Sequence, residues 1–247
     1  WILSRLQKEI KEVTEYLENY RFSEYVKTIY SFFWSEFCDW YIELAKPRLS
    51  QLEDHESRLV SQTVLWKVLS TNLLLLHPVM PFITEEIWQK LPYHSNSIMI
   101  TSFPIYEEFF IDEESEKNME FIRDSIKEIR ALRAEFNIPV SEKIKVFFYT
   151  ENIDEKILLH GYSGYFLTLA RAELINSDHI INEKNVAQAI VNNTNYYIYL
   201  AGLIDIQKER ERLNKEIIEL EKVIKNISDR INSQSFIQKA PSEIVER

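Results

Sequence analysis

Cysteine and glycine are scarce in this chain. Its 247 residues contain one cysteine and three glycines, against seven prolines. A single cysteine allows no internal disulfide, which excludes a secreted disulfide scaffold and fits a reducing, cytoplasmic setting. So few glycines argue against a loop-rich or all-β protein and for long helices. No apolar run reaches the roughly 20 uninterrupted residues that span a bilayer, so no membrane partner is expected. Histidine is sparse as well: His55, His77, His94, His160 and His179 lie far apart, with no metal-ligand spacing, so no metal is expected. A glycine-rich phosphate loop, a Gly-x-Ser-x-Gly elbow and an evident acid/base pair are also missing, so no catalytic residue is assigned. Asp39 and Glu43, four apart on a helix, match a carboxylate pair in spacing alone. The first residues, "WILSRLQKEIKE", lack an initiator methionine and a signal-peptide layout and read as the middle of a longer protein.

The apolar material is ample, at 45% of residues, and it is arranged for helices. Leu3, Leu6, Ile10, Val13 and Leu17 step by three and four on one stripe. After "ENYRFSE", Ser23 is placed to cap a second helix over about 24–46, ended by Pro47. Its stretch "FFWSEFCDWYIELAKPRL", residues 32–49, holds six aromatics. At helical period they cover more than half the circumference, which predicts a central helix. Tyr25, Ile29, Phe33, Phe37, Trp40 and Leu44 lie on one buried face, with Tyr30, Trp34, Cys38 and Tyr41 on the next. A third helix is expected over about 54–76, broken by "HPVMP", and Thr84 is expected to cap a short fourth, with Glu85 and Glu86 in its first turn. Residues 1–104 thus read as an antiparallel helical bundle.

Residues 107–120 carry seven acids and one lysine, a local −6 within the chain's −10. They read as a solvated acidic linker, 105–120, running into a helix over about 115–136. "IKVFFYT" reads as a strand, and "ENIDEKILLHGYSGYFLTLARAEL" as two short helices around Gly161 and Gly164. "NVAQAIVNN" and "TNYYIYLAG" read as two more strands. Residues 115–200 are thereby a small α+β module. In 201–247, Leu203, Ile206, Arg210, Leu213, Ile217, Leu220, Ile224, Ile227 and Ile231 alternate steps of three and four, the seam of a coiled coil. A helix of about 28 residues, about 42 Å long, cannot bury that stripe alone. Pro241 after "SQSFIQKA" announces a returning helix, which is expected to continue beyond Arg247. The fold class expected is mainly α: helical bundle, α+β module and C-terminal coiled-coil helix.

"FCDWYIELAKPRL", "LLHPVMPFITEEIWQKLP" and "SIMITSFP" together resemble the anticodon-binding helical domain of class I aminoacyl-tRNA synthetases for large aliphatic amino acids. "IRALRAEFNIPVSEKI" and the stretch from "LAGLIDIQKERERLNKEI" to the end narrow the resemblance to the C-terminal region of the valyl-tRNA synthetases. It covers the whole chain in order. It implies a bundle that receives the anticodon stem-loop of tRNA(Val) and a coiled-coil arm against the outer corner of the tRNA. The implied parent is a monomeric valine–tRNA ligase whose preceding catalytic and editing domains use ATP and Mg. None of their motifs occurs here, so this chain is expected to hold no cofactor and to be inactive alone. Candidate phosphate contacts on the anticodon side are Arg5, Lys8, Lys11, Arg21, Lys46 and Arg48, with Tyr20 and Phe22 as base-stacking rings. On the arm they are Lys208, Arg212, Lys215, Lys222, Arg230 and Lys239. Each cation serves equally well as a solvated or salt-bridged surface group. Two alternatives stand beside this reading: the same region of an isoleucyl or leucyl enzyme, and a helical scaffold that dimerises through 203–231.

Overall fold

The computed structural model describes residues 1–50 and 54–231. Helix α1 (Ile2–Glu18) buries Leu6, Ile10 and Val13. It ends in a reversal in which Arg21 N–H reaches Tyr16 O at 2.8 Å and Tyr20 N–H reaches Leu17 O at 3.2 Å. These are the two bonds of a Schellman cap, which needs a left-handed residue between them, usually glycine. Here Tyr20 takes that place at φ 57°. Helix α2 (Phe22–Phe32) therefore starts one residue before Ser23, with Arg21 as its N-cap. The reversal itself supplies the entry geometry, so no side-chain cap is used.

Helix α2 continues into a π-helical stretch, Phe33–Ile42, and then α3 (Glu43–Ser50). Pro47 lies inside α3 and does not end it. The ring lacks an N–H and presses on the carbonyl four residues earlier, but the wide π turns finish immediately upstream of that carbonyl, at Glu43. Wider turns also redistribute the aromatics. Tyr25, Ile29, Phe32 and Phe37 enter the bundle core, whereas Trp40 and Leu44 enter a different one. Tyr30 and Trp34 are in solvent, 64% and 54% exposed, which corrects their assignment to a buried face.

Helix α4 (His55–Leu76) is capped by Asp54, whose carboxylate accepts from Ser57 N–H at 3.0 Å. It runs antiparallel to α2, and the Tyr25 hydroxyl donates to the Leu75 carbonyl. At 22 residues α4 is long and apolar enough to cross a bilayer, contrary to the expectation of no such run. Its apolar residues have another use, since Val68, Leu73 and Leu75 are buried in the packing of the bundle. Helix α5 (Pro81–Trp88) begins with Pro81 in its first turn. Thr84 is thus one turn inside α5 and not its cap. Its hydroxyl donates to Met80 O at 2.8 Å and contacts His77 Nδ1 at 2.7 Å. Glu85, also past the first turn, binds Ser97 Oγ at 2.8 Å and Ile98 N–H at 3.2 Å.

Helix α6 (Glu113–Glu135), capped by Asp112, absorbs much of the acidic run. That run is not simply solvated, because Glu116 accepts bonds from Ser4 and Lys8 of α1. The α+β module follows: β1 (Ile144–Tyr149), α7 (Ile153–Gly161), α8 (Ser163–Ala170), β2 (Ala172–Asn176), β3 (Val186–Val191) and β4 (Thr194–Tyr199). Strand order is β2-β1-β4-β3, with β1 parallel to β2 and antiparallel to β4. The strand β2 was hidden in a stretch that reads as helical by composition. Arg171, left-handed at φ 48°, ends α8 and turns the chain into it. The module's core joins Ile144, Val146, Phe148, Tyr196 and Ile198 to Ile122, Ile126 and Ile129 of α6. Arg133 is buried against it, donating to Ala170 O at 3.0 Å and Glu142 O at 2.8 Å, and also to Pro139 O at 2.5 Å.

Helix α9 (Ile206–Ile231) carries the arm. The stripe Leu213, Ile217, Leu220, Ile224, Ile227 and Ile231 is at least partly open to solvent. The expected returning helix, with Lys239 and Pro241, falls outside the described residues, as does the coiled-coil pairing expected of it.

Candidate nucleic-acid interface

The anticodon-side candidates separate into structural clamps and surface groups. Arg5 grips Glu36 of the π stretch through Nε, at 2.9 and 3.1 Å, and Nη2, at 2.7 Å. Its Nη1 is 3.7 Å from Glu116, to which Lys8 Nζ also binds, at 2.7 Å. Hydrogen bonding to Glu36 raises the Arg5 pKa against the opposing effect of burial. Arg5 and Lys8 thus tie α1 to the π stretch and to the first turns of α6. Lys11 sits over the Tyr106 ring, 5.3 Å from its centroid, a cation–π arrangement. Lys46 pairs with Glu43 on the exposed side of α3, and Arg48 Nη2 donates to the Tyr165 hydroxyl at 3.3 Å.

The turn between α1 and α2 is different in character. Tyr20 is 80% exposed and Phe22 54%, with ring centroids 6.3 Å apart in an edge-to-face pair. Arg21 packs its guanidinium 4.8 Å from the Tyr16 ring centroid and binds Glu24 at 2.8 and 3.0 Å. Because α4 returns antiparallel to α2, the loop into α5 reaches the same end of the bundle, where Met80 and Phe82 are exposed. Along α2 and into the π stretch, Phe22, Val26, Tyr30 and Trp34 recur every four residues and are all exposed. Tyr30 and Trp34 are parallel, with centroids 6.4 Å apart. Sequence reasoning missed this outer stripe because a central helix was expected. The four-residue step was the available signal.

On the arm, Lys208 pairs with Asp205 at 3.6 Å. Arg212 binds Glu216 at 3.0 Å and reaches the Glu135 carbonyl at 3.5 Å, linking the base of α9 to the end of α6. Lys208, Arg212 and Lys215 border one shallow groove with Glu211, Glu216 and Glu219. Lys222 is exposed further along α9. The side chain of Arg230 and the whole of Lys239 lie outside the described residues. No cluster able to hold a metal ion is found among the described residues.

A helical bundle ending in exposed rings and followed by a long charged helix offers an extended open surface. Residues 1–148 match the family model described as the anticodon-binding domain of tRNA ligase. The chain belongs to this anticodon-binding family of tRNA ligases. Residues 205–247 match a second model, the valyl tRNA synthetase tRNA binding arm. Over 100% of its length the chain is 43% identical to the valine–tRNA ligase of Thermotoga maritima, of which it covers 27%. Identity is 41% to that of Clostridium perfringens, covering 99% of the chain and 28% of the relative. It is 40% to that of Clostridium acetobutylicum, covering 100% and 28%. The chain thus spans little more than a quarter of the length of these relatives, and corresponds to a C-terminal part of them.

Proposed function

We propose that this chain is the noncatalytic tRNA-binding portion of a valine–tRNA ligase, which attaches valine to tRNA(Val) in an ATP-dependent reaction in the cytoplasm. The observation that carries the reading is the joint match of bundle and arm, in order, to an anticodon-binding domain and a valyl tRNA-binding arm. The arm favours the valine enzyme over the isoleucyl and leucyl alternatives. In this reading the exposed rings at the α1–α2 turn stack on unpaired anticodon-loop bases, as RNA loops are usually read. The cations of α9 approach phosphates at the outer corner of the tRNA. ATP, Mg and the chemistry belong to the portion of the parent outside this chain, and the parent acts as a monomer.

The test is binding to a tRNA(Val) transcript and to the same transcript with a changed anticodon, each across a salt series. Tighter binding to the native transcript, with log K falling linearly in log salt, is expected. Equal binding to both removes anticodon recognition from this chain. The exposed stripe of α9 favours one second reading, a scaffold dimerised through 203–231. Sedimentation showing a concentration-dependent dimer without RNA would support that instead.

A further inference from the structure

The interface between α1 and α2 encloses a carboxyl group that the packing does not use. Glu9 is 3% exposed, and neither of its oxygens meets a hydrogen-bond partner. It borders a cavity of about 160 Å³ whose walls include Arg5, Lys8, Glu12, Thr28 and Glu36. Both cations are committed elsewhere, Arg5 to Glu36 and Lys8 to Glu116. On its own helix Glu9 is faced by Glu12 and from the π stretch by Glu36, both like charges. From α2 it is faced by Tyr25, whose hydroxyl is already bonded to the Leu75 carbonyl. Helix α4 adds Val68 and Leu75 to the bundle core and also buries the uncharged Asn72. An ionised carboxyl so placed has no hydrogen-bond donor in place of water and only an Arg5 charge already engaged by Glu36, and such a group keeps its proton instead.

We propose that Glu9 is a proton-binding site that seals α1 against α2 while it is neutral, so that the hairpin carrying Tyr20, Arg21 and Phe22 loosens as pH rises. The electrostatics agree in direction. Burial pushes the Glu9 carboxyl well above the ordinary range and Glu36 adds to this, against an opposing pull from Arg5. The sign follows from proton counting. Folded Glu9 holds its proton at pH values where the unfolded chain has lost it. Its contribution to stability is therefore complete below the unfolded pKa, and it declines as pH rises towards the folded pKa. Within that window the folded-to-unfolded ratio contributed by this group falls about tenfold per pH unit.

The experiment compares the 247-residue chain with its Glu9→Gln variant by urea unfolding at steps from pH 5 to 9. Carbon NMR of the Glu9 carboxyl in the wild type is followed over the same range. The expected result is a wild-type stability that falls relative to Glu9→Gln as pH rises, with an NMR midpoint far above that of exposed glutamates. Parallel stability profiles, or an NMR midpoint in the ordinary carboxylate range, overturn the proposal. If Glu9→Gln fails to fold, the NMR midpoint alone decides.

Discussion

Replacing Tyr20 by glycine should raise stability and lower RNA affinity at once. Tyr20 holds φ 57° inside the Schellman cap of α1. The left-handed region costs a residue bearing a Cβ about 1–2 kcal/mol. Glycine removes that cost but loses more backbone entropy on folding, about 0.5–1 kcal/mol. Because the tyrosine ring is 80% exposed and meets only the edge of Phe22, little burial is forfeited. The net expectation is a gain of about 0.5–1 kcal/mol, read as a higher urea midpoint with unchanged slope. Tyr20→Ala keeps the strain and removes the ring, so it should fall near or slightly below wild type in stability. Both variants remove the stacking surface, worth about 1–3 kcal/mol per base where such a ring holds one. Gel-shift or anisotropy measurements with tRNA(Val) should therefore show a weakening of about fivefold or more for each. A Tyr20→Gly chain less stable than wild type by more than about 1 kcal/mol would refute the strain argument. Unchanged affinity in both variants would remove Tyr20 from the RNA contact.

Glu116→Ala leaves Lys8, Arg5 and Ser4 facing an empty position between α1 and α6. The expected loss is about 2 kcal/mol, measured by chemical denaturation. Burial pushes Glu116 up, yet its bonds from Lys8 and Ser4 hold it below the usual range. Its contribution is therefore present above the unfolded pKa and is lost as pH falls through the folded one, opposite in direction to Glu9. An acid titration of Glu116→Ala should accordingly be flatter than that of wild type. Arg133→Lys replaces a fork that reaches three carbonyls by a single ammonium, and should cost about 2–3 kcal/mol in the same assay. Removing Lys215 and Lys222 together should leave the unfolding midpoint unchanged. If both meet phosphates, it should also reduce the slope of log K against log salt by roughly 1.4–1.8.

Much of the architecture was legible in the sequence where one period ruled. Leu6, Ile10 and Val13 mark the buried stripe of α1, and Val146 and Phe148 the inner face of β1. Reading failed where backbone geometry departed from its usual period or partner. The π stretch moves Trp40 away from Tyr25, which a wheel drawn at 3.6 residues per turn cannot show, whereas the outward-facing Tyr30 and Trp34 followed a four-residue step that the sequence did display. Strand β2 was lost because "ARAELIN" follows a helix with no glycine or proline, the left-handed turn being made by Arg171. For the candidate interface, the family match depended on blocks whose residues are largely structural, such as Arg133. The cations of the bundle could be counted but not sorted. Which ones are already held by an acid, as Arg5 is by Glu36, depends on pairs far apart in the chain.

The division of one helix between two cores bears on how the chain can be cut. Trp40 and Leu44 are rooted among the side chains of α6 and the sheet, a few turns beyond Tyr25 and Ile29 in the bundle. An excised 1–104 piece would lose the α6 and sheet side chains that cover that tryptophan and leucine, and the remaining piece would have a hole where they had been. Neither half is a natural spare part. The bundle and the α+β module share one helix, so the boundary between them runs through packed side chains and not through a linker.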